Sequence, residues 1–294
     1  MLPDFIYWNP DPIAFKIFWF AVRWYGMCWA AALLFGYLNM GRLFKHQGIP
    51  DEDFSPLFAY CFFGVLIGAR LGHCLFYEPG YYLSHFMEMI LPFRRIAGSW
   101  RLVGYEGLSS HGGIFGMLFA IWLYSRRMGV NMLRVLDDMG LATPLSAACI
   151  RLGNLFNSEI VGYPTDLPWG FIFAANGEDF ARHPAQLYES LFYLLVFFAG
   201  MCIYHYGKNK ERVGTGFFFG WCLTAIFTFR ILIEFIKVDQ VDAEAGMLLN
   251  IGQLLSLPLL AVGIYCMAGG KYCLRYAEKP GIPRYKPLPK DKKK

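Results

Sequence analysis

The chain has 294 residues, of which 56% are hydrophobic and 18% aromatic, and its formal charge is +5. Only 17% of the residues are charged, well under the roughly 25% of soluble domains. That shortage excludes a water-soluble globular enzyme, and the apolar residues gather in runs about as long as a bilayer is thick, so the class is integral membrane protein.

In chain order, Met1 to Pro12 has no basic region and contains Asp4 and Asp11, so it does not read as a cleaved signal peptide. Seven candidate spans follow, at roughly 16–40, 56–77, 109–125, 139–157, 186–206, 215–236 and 247–269. None has the alternation of a barrel strand, so the expected fold class is all-α, a polytopic membrane helix bundle of about seven transmembrane helices. The fourth span is the weakest in hydropathy, because it holds Pro144, Ser146, Arg151 and Asn154. Six spans with one re-entrant segment is the alternative.

Basic residues set the orientation. Arg42 and Lys45, then Arg126, Arg127 and Arg134, then Lys208, Lys210 and Arg212, and finally the lysine-rich end all fall on one side of a seven-span chain. The opposite loops hold mainly Arg94, Arg95, Arg101, Arg182 and Lys237. The expectation is one transmembrane domain over 1–270, with external loops at about 78–107 and 158–185, an external N-terminus and a basic cytoplasmic tail over 271–294. Loops of that length in a compact domain are often functional. The tail suits membrane retention and anionic lipid better than nucleic acid. The eight cysteines lie mostly inside apolar runs with no C-x-x-C pair, as small membrane-helix residues do; no metal site is expected.

The informative residues are ionisable groups inside the spans: Arg70 and His73, His111, Arg151, Glu189, Arg230 and Glu234. An arginine at the centre of a membrane helix costs about 2.5–3.5 kcal/mol, so three facing lipid would cost roughly 8–10 kcal/mol. They must face a polar interior, a partner or an anionic ligand. Arg70, His73 and Tyr77 share one helical stripe, Arg151 and Asn154 are three apart, and Arg230 and Glu234 are four apart and suited to pair locally. Arg151 has no acid one turn away. The planar fork of arginine suits phosphate oxygens, so several buried arginines suggest a lipid phosphate or another anion, with structural ion pairs as the alternative. His111 opens the run His111-Gly112-Gly113, whose glycines allow close backbone approach to a ligand or simply a helix-entry turn.

The stretch from Arg151 through Asn154, Asn157 and Glu159 to Gly162 closely resembles the hallmark motif of the prolipoprotein diacylglyceryl transferase family, G-R-x-G-N-F-x-N-x-E-x-x-G. Other blocks resemble that family in the same order. They are Trp24-Tyr25-Gly26, Gly68 to Gly72 around Arg70, Ser110 to Gly113, Arg182-His183-Pro184 with Gln186 to Glu189, Phe229-Arg230 with Glu234-Phe235, and Gly252-Gln253 with Ser256 and Pro258. The resemblance covers about residues 20–265. Departures are Ile150 and Leu155 within the hallmark motif, Arg23 before W-Y-G, and Ile226 where a tyrosine is common one turn before the arginine of span six.

The resemblance implies transfer of a diacylglyceryl group from phosphatidylglycerol to the lipobox cysteine of prolipoprotein signal peptides. A thioether forms and glycerol-1-phosphate leaves, with no cofactor, at the bacterial cytoplasmic (inner) membrane. It implies that Arg151 and Arg230 hold the phosphate and stabilise charge on the leaving oxygen, and that Asn154 and Glu159 bind the glycerol head group. His111 is the candidate base for the thiol. Tyr25, Arg70, Gly162 and Glu234 match further substrate-binding positions. A transporter or channel for an anionic solute is the rival from another class, and the lack of internal repeats counts against it. A lipid phosphatase would need a phosphate-accepting side chain or metal cluster, and a binding-only relative would not need His111, Arg151, Asn154 and Arg230.

Overall fold

Apolar runs in a bilayer become helices because lipid offers the backbone no hydrogen-bond partners. The structure is a computed structural model and describes residues 5–90, 93–96, 99–102, 107–238 and 249–276. Three short strands come first, β1 (Ile6–Trp8), β2 (Ile13–Ile17) and β3 (Phe20–Arg23), then helices α1 (Trp24–His46) and α2 (Asp51–Phe76). Two short helices, α3 (Pro79–Tyr82) and α4 (Phe86–Ile90), and a hairpin of β4 (Phe93–Ile96) with β5 (Ser99–Leu102) lead to α5 (Ser110–Met128) and α6 (Met132–Phe156). Strand β6 (Phe171–Phe173) precedes α7 (Ala185–His205), α8 (Phe217–Ile233), α9 (Ile251–Met267) and the short α10 (Lys271–Tyr276). Residues 277–294, most of the expected tail, lie outside the described residues.

Each expected span overlaps one long helix among the described residues, and the chain is a polytopic helical membrane protein. Helices α2 and α7, and α8 with its 3-10 extension to Ile236, are long and apolar enough to cross a bilayer, and Gly252–Met267 is a shorter apolar helix. Helix α6 carries Arg134, Asp137, Asp138 and Arg151, so its composition is less apolar, yet it runs unbroken through Pro144. The first span differs from expectation. Residues 16–23 belong to the β2–β3 hairpin, and the helix starts only at Trp24. Phe18 and Trp19 at the hairpin tip are almost wholly exposed, and aromatics of that kind suit a bilayer–water interface.

The chain divides into two compact units. The first contains residues 5–43 and, from 133 onward, the helices α6 to α10. Its N-terminal strand β1 pairs in parallel with β6. Trp8 donates from Nε1 to the Leu155 carbonyl at 2.9 Å, and Trp24 stacks on Phe156 at 5.1 Å. These contacts fix the end of α6. At its other end, fully buried Asp137 accepts from the backbone N–H groups of Gly214, Gly216 and Phe219 at 2.8, 2.9 and 2.9 Å. A carboxylate there satisfies donors at the start of α8 that the helix itself leaves unpaired.

The second unit is residues 44–132. Ser109 N donates to Ala69 O at 2.9 Å, and Tyr124 donates from its hydroxyl to Asp53 O at 2.7 Å, so α2 and α5 run antiparallel. Their backbones nearly touch. A Cβ on Gly68 would lie 2.3 Å from Gly112 O, and one on Gly116 would lie 2.1 Å from Gly64 O. Small residues allow such approach, and van der Waals contact then replaces the hydrophobic effect that lipid cannot supply. The guanidinium of Arg70 donates to the carbonyls of Glu88 at 2.7 Å and Met89 at 3.2 Å and lies 4.8 Å above the Tyr82 ring.

Candidate active site

The hallmark residues sit at the end of α6 and in the turn after it. Arg151 and Asn154 occupy the last two turns of the helix. Beyond it, Ser158 and Ile160 adopt φ of 53° and 61°, the left-handed region, and this folds Glu159 back toward the helix. Asn154 donates from Nδ2 to Glu159 Oε1 at 2.7 Å, and Arg151 Nη1 reaches Asn154 Oδ1 at 3.4 Å. Two outside donors pin the turn: Asn176 Nδ2 to Ser158 O at 3.0 Å, and the amide of fully buried Gln186 to Glu159 O. Tyr25 packs its ring on Gly153, where a Cβ would stand 3.0 Å from the ring.

The segment 158–185, expected as a long loop, is tied down along its length. Gly162 N donates to His183 O and Phe171 N to Arg182 O, both at 2.9 Å. Arg182 pairs with Glu178 at 2.6 Å.

Behind the turn lies a ladder of charges. Glu189, wholly buried on α7, places Oε2 3.2 Å from Arg151 Nε. That N–H is not aimed at the oxygen, so this is a charge contact rather than an aligned hydrogen bond. Its Oε1 lies 3.0 Å from Lys237 Nζ, and the same Nζ lies 3.5 Å from Glu234 Oε2. Arg230, half-buried on α8, makes no side-chain hydrogen bond or ion pair among the described residues. Tyr193 lies within electrostatic reach of Glu189, Arg151 and Arg230.

Three sequence expectations change. The local pair of Arg230 with Glu234 does not form, because Glu234 turns to Lys237. Arg151 does have an acid, supplied by another helix. Lys237, read only as a loop charge, is 3% exposed and central to the ladder. Its position three residues after Glu234 was the available signal.

The structure thus brings together Arg151, Asn154, Glu159, Tyr25 and Glu234, and Arg230 shares the electrostatic reach of Tyr193 with Arg151. Gly162 forms an antiparallel bridge with Lys237. Arg70 and His111 belong to the second unit. His111 is exposed on the first turn of α5, whose N-cap Ser109 accepts from Gly112 N at 3.3 Å. Arg70 is buried, with its guanidinium on the α4 carbonyls.

Known proteins resemble this chain over most of its length. The family model described as prolipoprotein diacylglyceryl transferase matches residues 12–268. Proteins named phosphatidylglycerol–prolipoprotein diacylglyceryl transferase are similar over almost their whole length. The one from Bacteroides fragilis is 51% identical over 89% of this chain and 94% of its own. Those from Chloroherpeton thalassium and Porphyromonas gingivalis are 42% and 41% identical, over 89% and 90% of this chain and 92% and 94% of theirs. The chain belongs to the prolipoprotein diacylglyceryl transferase family.

Proposed function

We propose that this protein transfers the diacylglyceryl group of phosphatidylglycerol to the lipobox cysteine of prolipoproteins, the first step of lipoprotein maturation. The thiolate sulfur attacks the glyceryl carbon bound to the phosphate oxygen. A C–S bond forms, the C–O bond breaks, and its electron pair leaves on the oxygen of glycerol-1-phosphate. The nucleophile comes with the substrate, so the enzyme must ionise a thiol, hold a phosphate and steady the charge growing on the leaving oxygen.

The observation that carries this reading is Arg230, half-buried on α8 and without an ion pair among the described residues, which shares the electrostatic reach of Tyr193 with Arg151. An unpaired cation in a low-dielectric site is costly unless an anion completes it. A phosphodiester fits both arginines with paired, charge-assisted hydrogen bonds. Asn154 and Glu159 offer a donor and acceptors to the glycerol hydroxyls, and Tyr25 shapes the wall beside them. His111 is the proposed base, and its exposure on the first turn of α5 suits access by an incoming peptide. Gly162 and Glu234 serve the site through Lys237, and Arg70 is a further substrate-binding candidate by its match to the family motif. The basic loops support an inner-membrane chain with external N-terminus and cytoplasmic C-terminus.

The test is transfer by the purified protein in detergent, supplied with phosphatidylglycerol and a lipobox peptide. A peptide mass gain of one diacylglyceryl unit, with glycerol phosphate released, is expected. A folded, lipid-binding protein that adds nothing would instead favour transport of an anion.

A further inference from the structure

We infer that Lys237 is a positioning residue of the transfer site: it takes up the carboxylates of Glu189 and Glu234, so that Arg230 is left unpaired and Arg151 only partly neutralised for the lipid phosphate. The inference rests on the proposed reaction in naming phosphatidylglycerol as the anion.

A lysine at the end of a membrane helix ordinarily extends its stem so that the ammonium reaches water. Lys237 does not, since it is buried just after the 3-10 turn that closes α8. Its backbone is fastened to the turn beyond α6. Tyr163 N donates to Ile236 O at 2.8 Å, and Val238 N to Val161 O at 3.3 Å. Gly162 permits this passage, because a Cβ there would stand 2.6 Å from His183 Cβ and 2.8 Å from Ile236 O. The ammonium then lies 3.0 Å from Glu189 Oε1 and 3.5 Å from Glu234 Oε2.

Around Tyr193 and Lys237 there are three cations, Arg151, Arg230 and Lys237, and two anions, Glu189 and Glu234. The surplus is one positive charge, and a phosphodiester carries one negative charge. Glu159 stands apart from this count, turned to Asn154. Without Lys237 the surplus disappears, and Glu234, one turn beyond Arg230 on the same face, is drawn to that guanidinium. The phosphate would then compete with a carboxylate already in place.

The test uses the full-length protein in detergent, with phosphatidylglycerol titrated at saturating lipobox peptide. Lys237→Met should lower kcat/KM for the lipid about 100-fold, as loss of one partner from a buried ion cluster does, while KM for the peptide stays unchanged. Lys237→Arg, which keeps the charge, should stay within about 5-fold of wild type. Lys237→Met with Glu234→Gln restores the single surplus charge and should recover about 10-fold over Lys237→Met alone. A wild-type value for Lys237→Met, or a double variant no better than the single, overturns the inference. Should Lys237→Met not accumulate folded, the double variant decides: transfer within about 10-fold of wild type supports the inference, and a folded but inactive protein overturns it. Failure of the wild type to transfer would sink the proposed reaction instead, and it is read in a separate arm.

Discussion

Asn154 and Glu159 are joined side chain to side chain at 2.7 Å, across a turn in which two left-handed residues, Ser158 and Ile160, flank the glutamate. The bond fixes which atoms point where: the Asn154 amide gives its protons to Glu159 and turns its oxygen to Arg151. Glu159→Gln offers an amide that can meet Asn154 through its oxygen but removes the charge. We expect transfer to fall about 30-fold with a small change in melting temperature, since a charged acceptor in such a pair contributes about 1.5–3 kcal/mol. Steady-state kinetics beside a thermal melt separates the two effects.

Arg151→Met and Arg230→Met should differ in stability although both abolish most transfer. Removing Arg151 leaves Glu189 with Lys237 as its one cation among the described residues, beside the Tyr193 hydroxyl, whereas removing Arg230 breaks no ion pair among them. Each should lower kcat about 10³-fold, the size typical of a lost transition-state donor. Arg151→Met should also melt earlier, and Arg230→Met should melt like wild type or higher. Equal melting of the two variants would contradict this assignment of partners.

If His111 takes the thiol proton, His111→Ala should be slow at neutral pH and recover as pH rises. A free cysteine ionises near about pH 8.5, so the peptide supplies its own thiolate above that value and the base is no longer needed. The ratio of wild-type to variant rate should shrink across about pH 7 to 9. A ratio that stays constant over that range would mean that His111 acts on something other than the thiol.

Asp137→Ala should unfold the first unit more readily without touching the transfer site. Its carboxylate accepts three backbone N–H groups at the start of α8, and leaving buried donors unpaired costs about 1–3 kcal/mol each. The expected result is a large drop in melting temperature, with kcat/KM near wild type in whatever folded fraction survives at low temperature.

Much of this was legible in the sequence. Among the described residues the seven long helices overlap the runs that apolar length marked, because hydropathy and helix length measure the same requirement. The N-terminal hairpin was not legible: Phe18, Trp19 and Phe20 are as apolar as a helix start, and hydropathy does not distinguish a span from an aromatic ribbon beside it. The ladder was half visible. Spacing rules register partners one turn away on the same helix, as for Arg151 with Asn154, and miss those brought by another helix, as for Arg151 with Glu189. The same rules also permit pairs that do not form, such as Arg230 with Glu234, because they do not register a third residue competing for the carboxylate.

Ile160 holds φ at 61° directly after Glu159. A branched side chain is disfavoured there by about 1–2 kcal/mol, so the turn persists only because Asn176, Gln186 and the end of α6 impose it. The protein is therefore less stable at this corner than its own length of chain would allow. Ile160→Gly would relax the corner and raise the melting temperature, and it would also let the carboxylate beside it wander from Asn154. A search for hardier versions of this enzyme that scored heat resistance alone would be drawn to such corners, and would harvest proteins that endure longer and lipidate less.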